Sequence, residues 1–485
     1  MNYLNFAAEA FLLIPLTAIV LNNVLSKQFM ERNFHLLAGL VCLIQLFTSA
    51  FTLFYMVVNH VSHYDFSIFW GALAPSSDFF SIHPISLVFL FFIGTVSMIS
   101  VMVGSRTITE KKCAYVNLLM TLMIGMNGMV LVNDLFSLYV FLDVVGLSSF
   151  VLIAMFRSTE GLEGSIKYLV MSELASILIL TGIAFIFMKT GSLTYSDIKS
   201  AFSSTSSWTT MTYVSLILMF AGFAIKAGAA PFHSWLPDAH QSANTAISIL
   251  LSGIVIKVAG VYGLIVLSRV FAGVKAIQVS LAAIGMITIV VGALLALSQN
   301  HFKRIAAYSS VSQVGYILLG LSTGSILGLI GAIAHVFSHA VFKSTLFANA
   351  AALHDQTGTL EIDKMGGLQS RMPVTAVSSL ISFLSTAGIP PFAGFWSKLL
   401  IIIALWTSGN RVLAGFALGA SILSAAYLLR LQQKVFFGKT PEHLAEVQEI
   451  SGSVKIVEIL LTAITSIVGI LFPLILVCLQ NHGLI

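Results

Sequence analysis

The sequence predicts an all-helical protein that crosses a membrane many times. Of its 485 residues, 58% are hydrophobic and only 9% are charged, whereas soluble domains have roughly 25% charged residues. Apolar runs recur from one end of the chain to the other, and most of them reach the roughly 20 residues that a membrane-spanning helix needs. A water-soluble fold cannot bury so much apolar surface, so we expect most of the chain to lie in the bilayer.

Polar residues and Gly/Pro positions divide the chain into fourteen candidate spans. These begin near residues 4, 35, 84, 114, 135, 164, 209, 245, 274, 305, 325, 374, 409 and 454. The first span begins almost at Met1 but lacks a basic segment and a small-residue cleavage site, so we predict a retained helix and not a signal peptide. Most loop Lys and Arg residues fall on one side of this topology. That side is therefore predicted to be cytoplasmic, and both termini are predicted to face the periplasm or the external medium.

An internal repeat is visible in the seventh and twelfth spans. Ala227-Gly-Ala-Ala-Pro-Phe232 matches Ala387-Gly-Ile-Pro-Pro-Phe392 at an offset of 160 residues, and Gly164-Ser-Ile166 echoes Gly331-Ala-Ile333 at an offset of 167. Five spans separate the members of each pair, so the second copy is predicted to cross the membrane in the opposite direction. The repeat suggests four segments: residues 1–113 with helices 1–3, 114–272 and 273–438 with five helices each, and 439–485 with a connector and the last helix.

Prolines within this repeat predict two broken helices. Pro231 lies in the seventh span, and Pro390 and Pro391 lie in the twelfth. Proline removes an intrahelical hydrogen bond and clashes with the preceding turn. Paired breaks in corresponding halves of a membrane protein indicate an ion or substrate site near the bilayer midplane, although a packing kink is the alternative interpretation.

Several ionisable residues lie inside the apolar runs, where each would cost about 2.5–3.5 kcal/mol if it faced lipid. They are Asp143, Glu173, Lys226, Lys257, Lys343 and Lys398. Burial favours the neutral form of such groups and a nearby opposite charge favours the charged form, so a carboxylate and a lysine at variable separation form a proton switch. Asp143 and Lys226 are the predicted pair. Lys257 is predicted to be the next group along the ion path. Glu173 is either a second carboxylate near this pair or a group hydrogen-bonded at a helix interface.

The eleventh span carries His335, His339 and Lys343 at positions i, i+4 and i+8, which lie on one helix face. Histidine titrates near neutral pH and can pass a proton between its ring nitrogens. Metal binding by the two histidines is the rival interpretation, but no carboxylate or cysteine accompanies them on that face. A structural role in the core is the other alternative. Lys398 would end the line of charges.

Cofactors and nucleic acids are not expected. Cys42, Cys113 and Cys478 are isolated and have no metal-ligand spacing. The sequence contains no glycine-rich nucleotide motif and no segment long enough to form a soluble cofactor domain. The cations are scattered over short loops instead of forming one basic surface with interleaved aromatic residues.

The charged and proline-containing segments resemble the antiporter-like subunits shared by respiratory complex I, Mrp-type cation/proton antiporters and energy-converting membrane hydrogenases. The most specific stretches are 133–143, 226–240 and 390–398. The resemblance implies fourteen core helices, an inverted repeat of five helices, broken helices 7 and 12, and a polar axis in the membrane plane. It also implies the residue roles. Asp143 stands where glutamate is usual, Lys226 is its partner, Lys257 is the connecting lysine, Lys398 closes the second half, and His335 and His339 match the histidines between the halves.

The resemblance further implies that this chain translocates protons or sodium ions as one subunit of a redox-driven or Mrp-type complex. The expected partners are other membrane subunits, including related antiporter-like ones, a redox module elsewhere in the complex, and the lipid of a bacterial or archaeal cell (inner) membrane. No catalytic chemistry of its own is expected. A self-contained transporter of a small solute and a non-pumping anchor subunit are the alternatives. The choice between protons and sodium ions stays open.

Overall fold

A computed structural model describes residues 2–66, 79–202 and 208–481. The chain forms two compact units. The first contains Met1–Ala227 and Ile254–Phe271, and the second contains Gly228–Gly253 and Ala272–Ile485. These units are defined by how closely the residues pack. The segments 114–272 and 273–438 are defined by the sequence repeat and remain a prediction.

Helices account for most of the first part of the chain. In order, these are α1 (Asn2–Val24), α2 (Lys27–Val58), α3 (Pro84–Thr107), α4 (Lys112–Leu131), α5 (Leu135–Ala154), α6 (Thr159–Thr190), α7 (Tyr195–Ala201) and α8 (Thr210–Lys226). Between α2 and α3, strands β1 (Tyr64–Phe66) and β2 (Phe80–Ile82) pair antiparallel, with Tyr64 opposite Ile82.

The remaining chain is also helical. It contains α9 (Trp235–Ser242), α10 (Thr245–Leu250), two π-helical segments (Leu251–Val255 and Lys257–Tyr262), α11 (Gly263–Val270), α12 (Lys275–Ser298), α13 (Phe302–Ser322), α14 (Ile326–Thr357), α15 (Pro373–Ala387), α16 (Ala393–Thr407), α17 (Arg411–Phe436) and α18 (Ser453–Asn481). Short 3₁₀ turns at Ile362–Lys364 and Glu442–Leu444 lie in the connections.

Among the described residues, twelve helices are long and apolar enough to cross a membrane, so the protein is a multi-span membrane protein. The seventh and twelfth predicted spans are not among these twelve. They appear instead as the shorter apolar helices Thr210–Lys226, Pro373–Ala387 and Ala393–Thr407. Pro231 lies in the non-helical stretch after α8, and Pro390 and Pro391 lie between α15 and α16. The count of fourteen spans remains a prediction.

The second helix begins well before its predicted start near residue 35. Lys27 is its first residue, Ser26 accepts a hydrogen bond from the Phe29 amide at 3.4 Å, and the helix kinks at Asn33, where φ is −115°. The segment before the kink is polar, so hydropathy alone does not reveal it. A helix needs apolar residues only where it crosses lipid or packs in a core, which explains the difference.

Two helix pairs have closely similar lengths and the same offset. Helices α5 and α13 begin at Leu135 and Phe302, α6 and α14 begin at Thr159 and Ile326, and both pairs are therefore 167 residues apart. Helices α6 and α14 each contain 32 residues and end at a left-handed glycine. The chain before α5 forms a bridge to the chain after α6, and α13 and α14 have the same arrangement. These matches support the predicted repeat, while its inversion across the membrane remains a prediction.

Candidate functional site

The first cluster of polar groups surrounds Lys226, the last residue of α8. Its ammonium donates a hydrogen bond to Ser172 Oγ on α6 at 2.7 Å, and only 6% of the residue is exposed. Gly146 on α5 makes room for both groups, because a Cβ at this position would lie 2.9 Å from Ser172 Oγ and 3.3 Å from Lys226 Nζ. Helices α5, α6 and α8 therefore enclose the end of this lysine.

Two half-buried carboxylates accompany this ammonium. Asp143 on α5 accepts hydrogen bonds from Tyr139, one turn earlier, and from Ser176 on α6 at 2.5 Å. Asp143 and Glu173 both act electrostatically on Lys226, and Asp143 acts more strongly. Of the two interpretations of Glu173, this proximity favours the second carboxylate. The aspartate at position 143, one methylene shorter than glutamate, is thus accompanied by a second carboxyl group on the neighbouring helix.

Lys257 occupies a different backbone environment in the same unit. It begins the π-helical segment Lys257–Tyr262 and is completely buried. Gly260 on this segment lies against the residue that follows Lys226, since a Cβ at Gly260 would lie only 2.2 Å from the Ala227 amide nitrogen. The Tyr262 hydroxyl donates to the Val130 carbonyl oxygen at 3.1 Å. Glycine therefore permits the segment with Lys257 to pack directly on the end of α8.

In the second unit, α14 holds three buried titratable groups along one face. His335, His339 and Lys343 are all completely buried. His335 Nδ1 shares a hydrogen bond with Ser397 Oγ on α16 at 2.9 Å. Lys343 donates to the Ala306 carbonyl oxygen on α13 at 2.9 Å and to Ser309 Oγ. The face predicted from the i, i+4, i+8 spacing is thus turned into the interior of this unit.

Lys398 lies in the second turn of α16, after the break that contains Pro390 and Pro391. Its ammonium donates to the Thr386 carbonyl oxygen near the end of α15 at 2.8 Å. It also lies 4.3 Å from the centre of the Tyr316 ring, a geometry that permits a cation–π interaction. Gly388, with φ of 82°, is adjacent, and a Cβ there would lie 3.0 Å from Lys398 Cδ. The break thus supplies both an acceptor and space for the lysine.

Sequence reasoning misses other buried charged residues. Glu458 in α18 is completely buried, although it lies close to the predicted start of the last span. Lys303 precedes the predicted tenth span, but it lies on α13, is 6% exposed and donates to the Ala243 carbonyl oxygen at 2.8 Å. The available signal for Glu458 is its position between two apolar residues, Val457 and Ile459. Within the described parts of the chain, no group of three or more His, Cys, Asp or Glu side chains is placed to hold a metal ion.

Known proteins resemble this chain over most of its length. Residues 132–424 match the family described as NADH:quinone oxidoreductase/Mrp antiporter, TM. A subunit of the Na(+)/H(+) antiporter of Alkalihalophilus pseudofirmus is 33% identical over 350 residues, which are 72% of this chain and 71% of the relative. A subunit of the NADH-quinone oxidoreductase of Ruthia magnifica subsp. Calyptogena magnifica is 30% identical over 451 residues, 90% of this chain and 89% of the relative.

A solved structure resembles the whole fold. A chain of the membrane-bound sulfane sulfur reductase (MBS), an archaeal respiratory membrane complex, superposes with a TM-score of 0.87 and 29% identity. The match covers 98% of this chain and 96% of that chain. The agreement in length and helix arrangement extends well beyond the segments in which the polar clusters lie.

Proposed function

Because this chain belongs to the NADH:quinone oxidoreductase/Mrp antiporter transmembrane family, we propose that its buried lysines, carboxylates and histidines are the path of ion translocation. The chain is an antiporter-like, ion-translocating subunit of a multi-subunit membrane complex. The path we propose comprises Asp143, Glu173, Lys226 and Lys257 in the first unit and His335, His339, Lys343 and Lys398 in the second.

The observation that carries this proposal is the placement of one buried lysine beside each helix break. Lys226 ends α8 immediately before one break, and Lys398 follows the other. A broken helix leaves backbone groups unpaired within the membrane, and these groups are tolerated where they serve a buried polar site. A lysine at such a position exchanges hydrogen-bond partners with little movement of the backbone.

The first unit supplies a charge switch. When Asp143 and Glu173 are near Lys226, the ammonium form is favoured; when they move away or become neutral, release of the proton is favoured. A change imposed on the carboxylates by a neighbouring subunit would therefore be converted into proton release from the lysine. Glu173 would partly maintain the negative charge when Asp143 is protonated.

The finer details of the assembly are part of the proposal. The driving energy would come from a redox module or an antiport partner in the same complex, since the path alone moves ions only down their gradient. We place the protein in the cell membrane with both termini outside, as the loop charges predict. A self-contained transporter of small solutes is disfavoured because the antiporter and oxidoreductase relatives are subunits of larger complexes.

The test is ion pumping by the intact complex in sealed vesicles, with proton and sodium gradients followed separately. Lys226→Ala should assemble normally on a native gel but lose one of the two gradients, and that gradient would identify the translocated ion. Lys189→Ala is the matched control, because Lys189 is an exposed lysine at the end of α6 in the same unit. Unchanged pumping by Lys226→Ala would contradict the proposed path and favour the anchor interpretation.

A further inference from the structure

Glu458 on α18 is a completely buried carboxyl outside the path described above. Its Oε2 atom lies 3.1 Å from Thr375 Oγ1 on α15. Its Oε1 atom lies 2.7 Å from the amide nitrogen of Asn349 on α14, in the amide orientation that satisfies both ends of that side chain. A buried carboxyl in a membrane helix is costly and usually functional. The question is therefore which groups exchange protons with it.

Thr375 connects this buried carboxyl to a second one nearer the surface. Its hydroxyl also lies 2.8 Å from Oε1 of Glu449, a half-buried residue in the connector before α18. Oε2 of Glu449 accepts hydrogen bonds from the backbone amides of Val374 at 2.6 Å and Thr375 at 3.3 Å. These amides belong to the first turn of α15, where free N–H groups and the helix dipole favour a carboxylate.

The hydrogen bonds in this cluster are compatible with an additional proton. A threonine hydroxyl can donate only one hydrogen bond, and an ionised carboxylate can only accept. Thr375 Oγ1 nevertheless lies within hydrogen-bond distance of both Glu449 and Glu458. A protonated carboxyl that donates to the hydroxyl, while the hydroxyl donates to the other carboxylate, accounts for both distances. Glu449 has the backbone donors, so Glu458 is the group that holds the proton in this arrangement.

We propose that Glu449, Thr375 and Glu458 form a proton relay that loads the path of the second unit from the membrane surface. A proton on Glu449 Oε1 passes to Thr375 Oγ1 while the proton of the hydroxyl passes to Glu458 Oε2. Glu449 is left as a carboxylate and Glu458 becomes a carboxylic acid. The Thr375 hydroxyl still carries one proton but now donates it toward Glu449. One proton moves inward, and no heavy atom has to move.

The relay ends at α14, the helix that also carries Lys343 of the proposed path. Asn349, which contacts Glu458, and Lys343 are six residues apart on this helix, which corresponds to about 9 Å along its axis. Lys455 is a further charged group that acts electrostatically on Glu458, besides Glu449. This inference rests on the proposed function, because a relay is useful only if the path beyond it translocates ions.

The first test compares two substitutions at Thr375 in the complete complex reconstituted into vesicles, with proton uptake followed by a pH-sensitive dye. Thr375→Val preserves the shape but removes the hydroxyl, so uptake should slow about 100-fold or more, in the range expected for loss of a proton-transfer group. Thr375→Ser retains the hydroxyl and should restore uptake. Thr465→Val on α18 is the control, because this hydroxyl donates only to the Leu461 carbonyl oxygen one turn earlier. Equal uptake by Thr375→Val and Thr375→Ser would overturn the relay.

Infrared spectroscopy of the complex gives a second readout that is independent of pumping. The parent should show the carbonyl stretch of a protonated, buried carboxylic acid, and Glu458→Gln should lack it. Persistence of this band in Glu458→Gln would exclude Glu458 as the proton holder. Lys398→Met, measured alongside, separates the two proposals. If it stops pumping while Thr375→Val pumps normally, only the relay fails; if Lys398→Met also pumps normally, the proposed path itself fails.

Discussion

The two compact units stabilise their buried lysines in different ways. In the first, Lys226 contacts a serine hydroxyl and is accompanied by two half-buried carboxylates. In the second, Lys343 and Lys398 donate to backbone carbonyl oxygens, Lys343 also donates to a serine hydroxyl, and Lys398 faces the Tyr316 ring. A lysine stabilised by a charge responds to the protonation of its partner, whereas one stabilised by dipoles and a ring responds mainly to local geometry. We therefore expect protonation of a nearby carboxylate to affect Lys226 more than Lys343 or Lys398.

Removing both carboxylates of the first unit should have the largest effect on pumping. Asp143→Asn with Glu173→Gln leaves Lys226 without its negative partners, so pumping in sealed vesicles should fall about 100-fold, while each single substitution should cost much less because the other carboxylate remains. Glu163→Gln is the control, since Glu163 is an exposed residue on α6 paired with Lys167. Single substitutions as severe as the double would show that the two carboxylates do not substitute for each other.

Alanine substitution of glycines that lie against backbone atoms near the helix breaks should have the next largest effect. We expect this loss of stability in both units. A Cβ at Gly394 would lie 1.9 Å from the Ser385 carbonyl oxygen, and one at Gly260 would lie 2.2 Å from the Ala227 nitrogen. Alanine at either position should lower the free energy of unfolding by about 1–3 kcal/mol or more. Gly415→Ala is the control, because no atom lies within 4 Å of its added Cβ. Thermal unfolding in detergent measures the difference, and equal stability of all three variants would contradict the packing.

The ring over Lys398 permits a smaller test that concerns the second unit alone. Tyr316→Leu removes the aromatic face and should weaken the interaction with the ammonium by about 0.5–2 kcal/mol. Tyr316→Phe keeps the ring and loses only the hydroxyl, which donates to the Ala417 carbonyl oxygen at 3.1 Å. We expect slower pumping for the leucine variant and near-parental pumping for the phenylalanine variant. The same loss in both would indicate that the hydroxyl matters and the ring does not.

The smallest expected effect is a pH-dependent helix cap in the first unit. His83 precedes α3, and its Nδ1 accepts a hydrogen bond from the Ser86 amide at 3.1 Å. Burial, assisted by the positive charges of Arg269 and His63, lowers the pKa of His83 to about 3. Because the unfolded chain binds this proton more readily, the contribution of His83 to stability is present above about pH 6.5 and is lost as the pH falls.

Unfolding measured at pH 7.5 and pH 5.5 tests this sign. The parent should lose about 1 kcal/mol more than His83→Asn, which keeps a capping side chain that does not titrate in this range. An identical pH dependence of parent and variant would rule out His83 as the titrating group.

Apolar run length and buried charge are predictable from the sequence because both reflect the cost of contact with lipid. The face of His335, His339 and Lys343 follows from helical spacing alone. The hydrogen-bond partners are not predictable, since Ser172, Ser397 and Tyr316 are distant in sequence from the groups they contact. Residues near span ends are also difficult to assign. Glu458 and Lys303 lie close enough to predicted boundaries to resemble loop charges, and only the packing of other helices around them shows that they are buried.

The π-helical winding around Lys257 allows the number of residues in this span to vary. A π-helix closes its hydrogen bonds one residue later than an α-helix, so the stretch from Leu251 to Tyr262 holds more chain than its height requires. Deleting one residue there could be absorbed by a return to α-helical winding. The crossing would keep its height, and the side chains on the two sides of the deletion would keep their directions, because the π-helical turn holds the extra residue locally. Loss of a single codon in this stretch would thus leave the faces of the flanking helical turns in place.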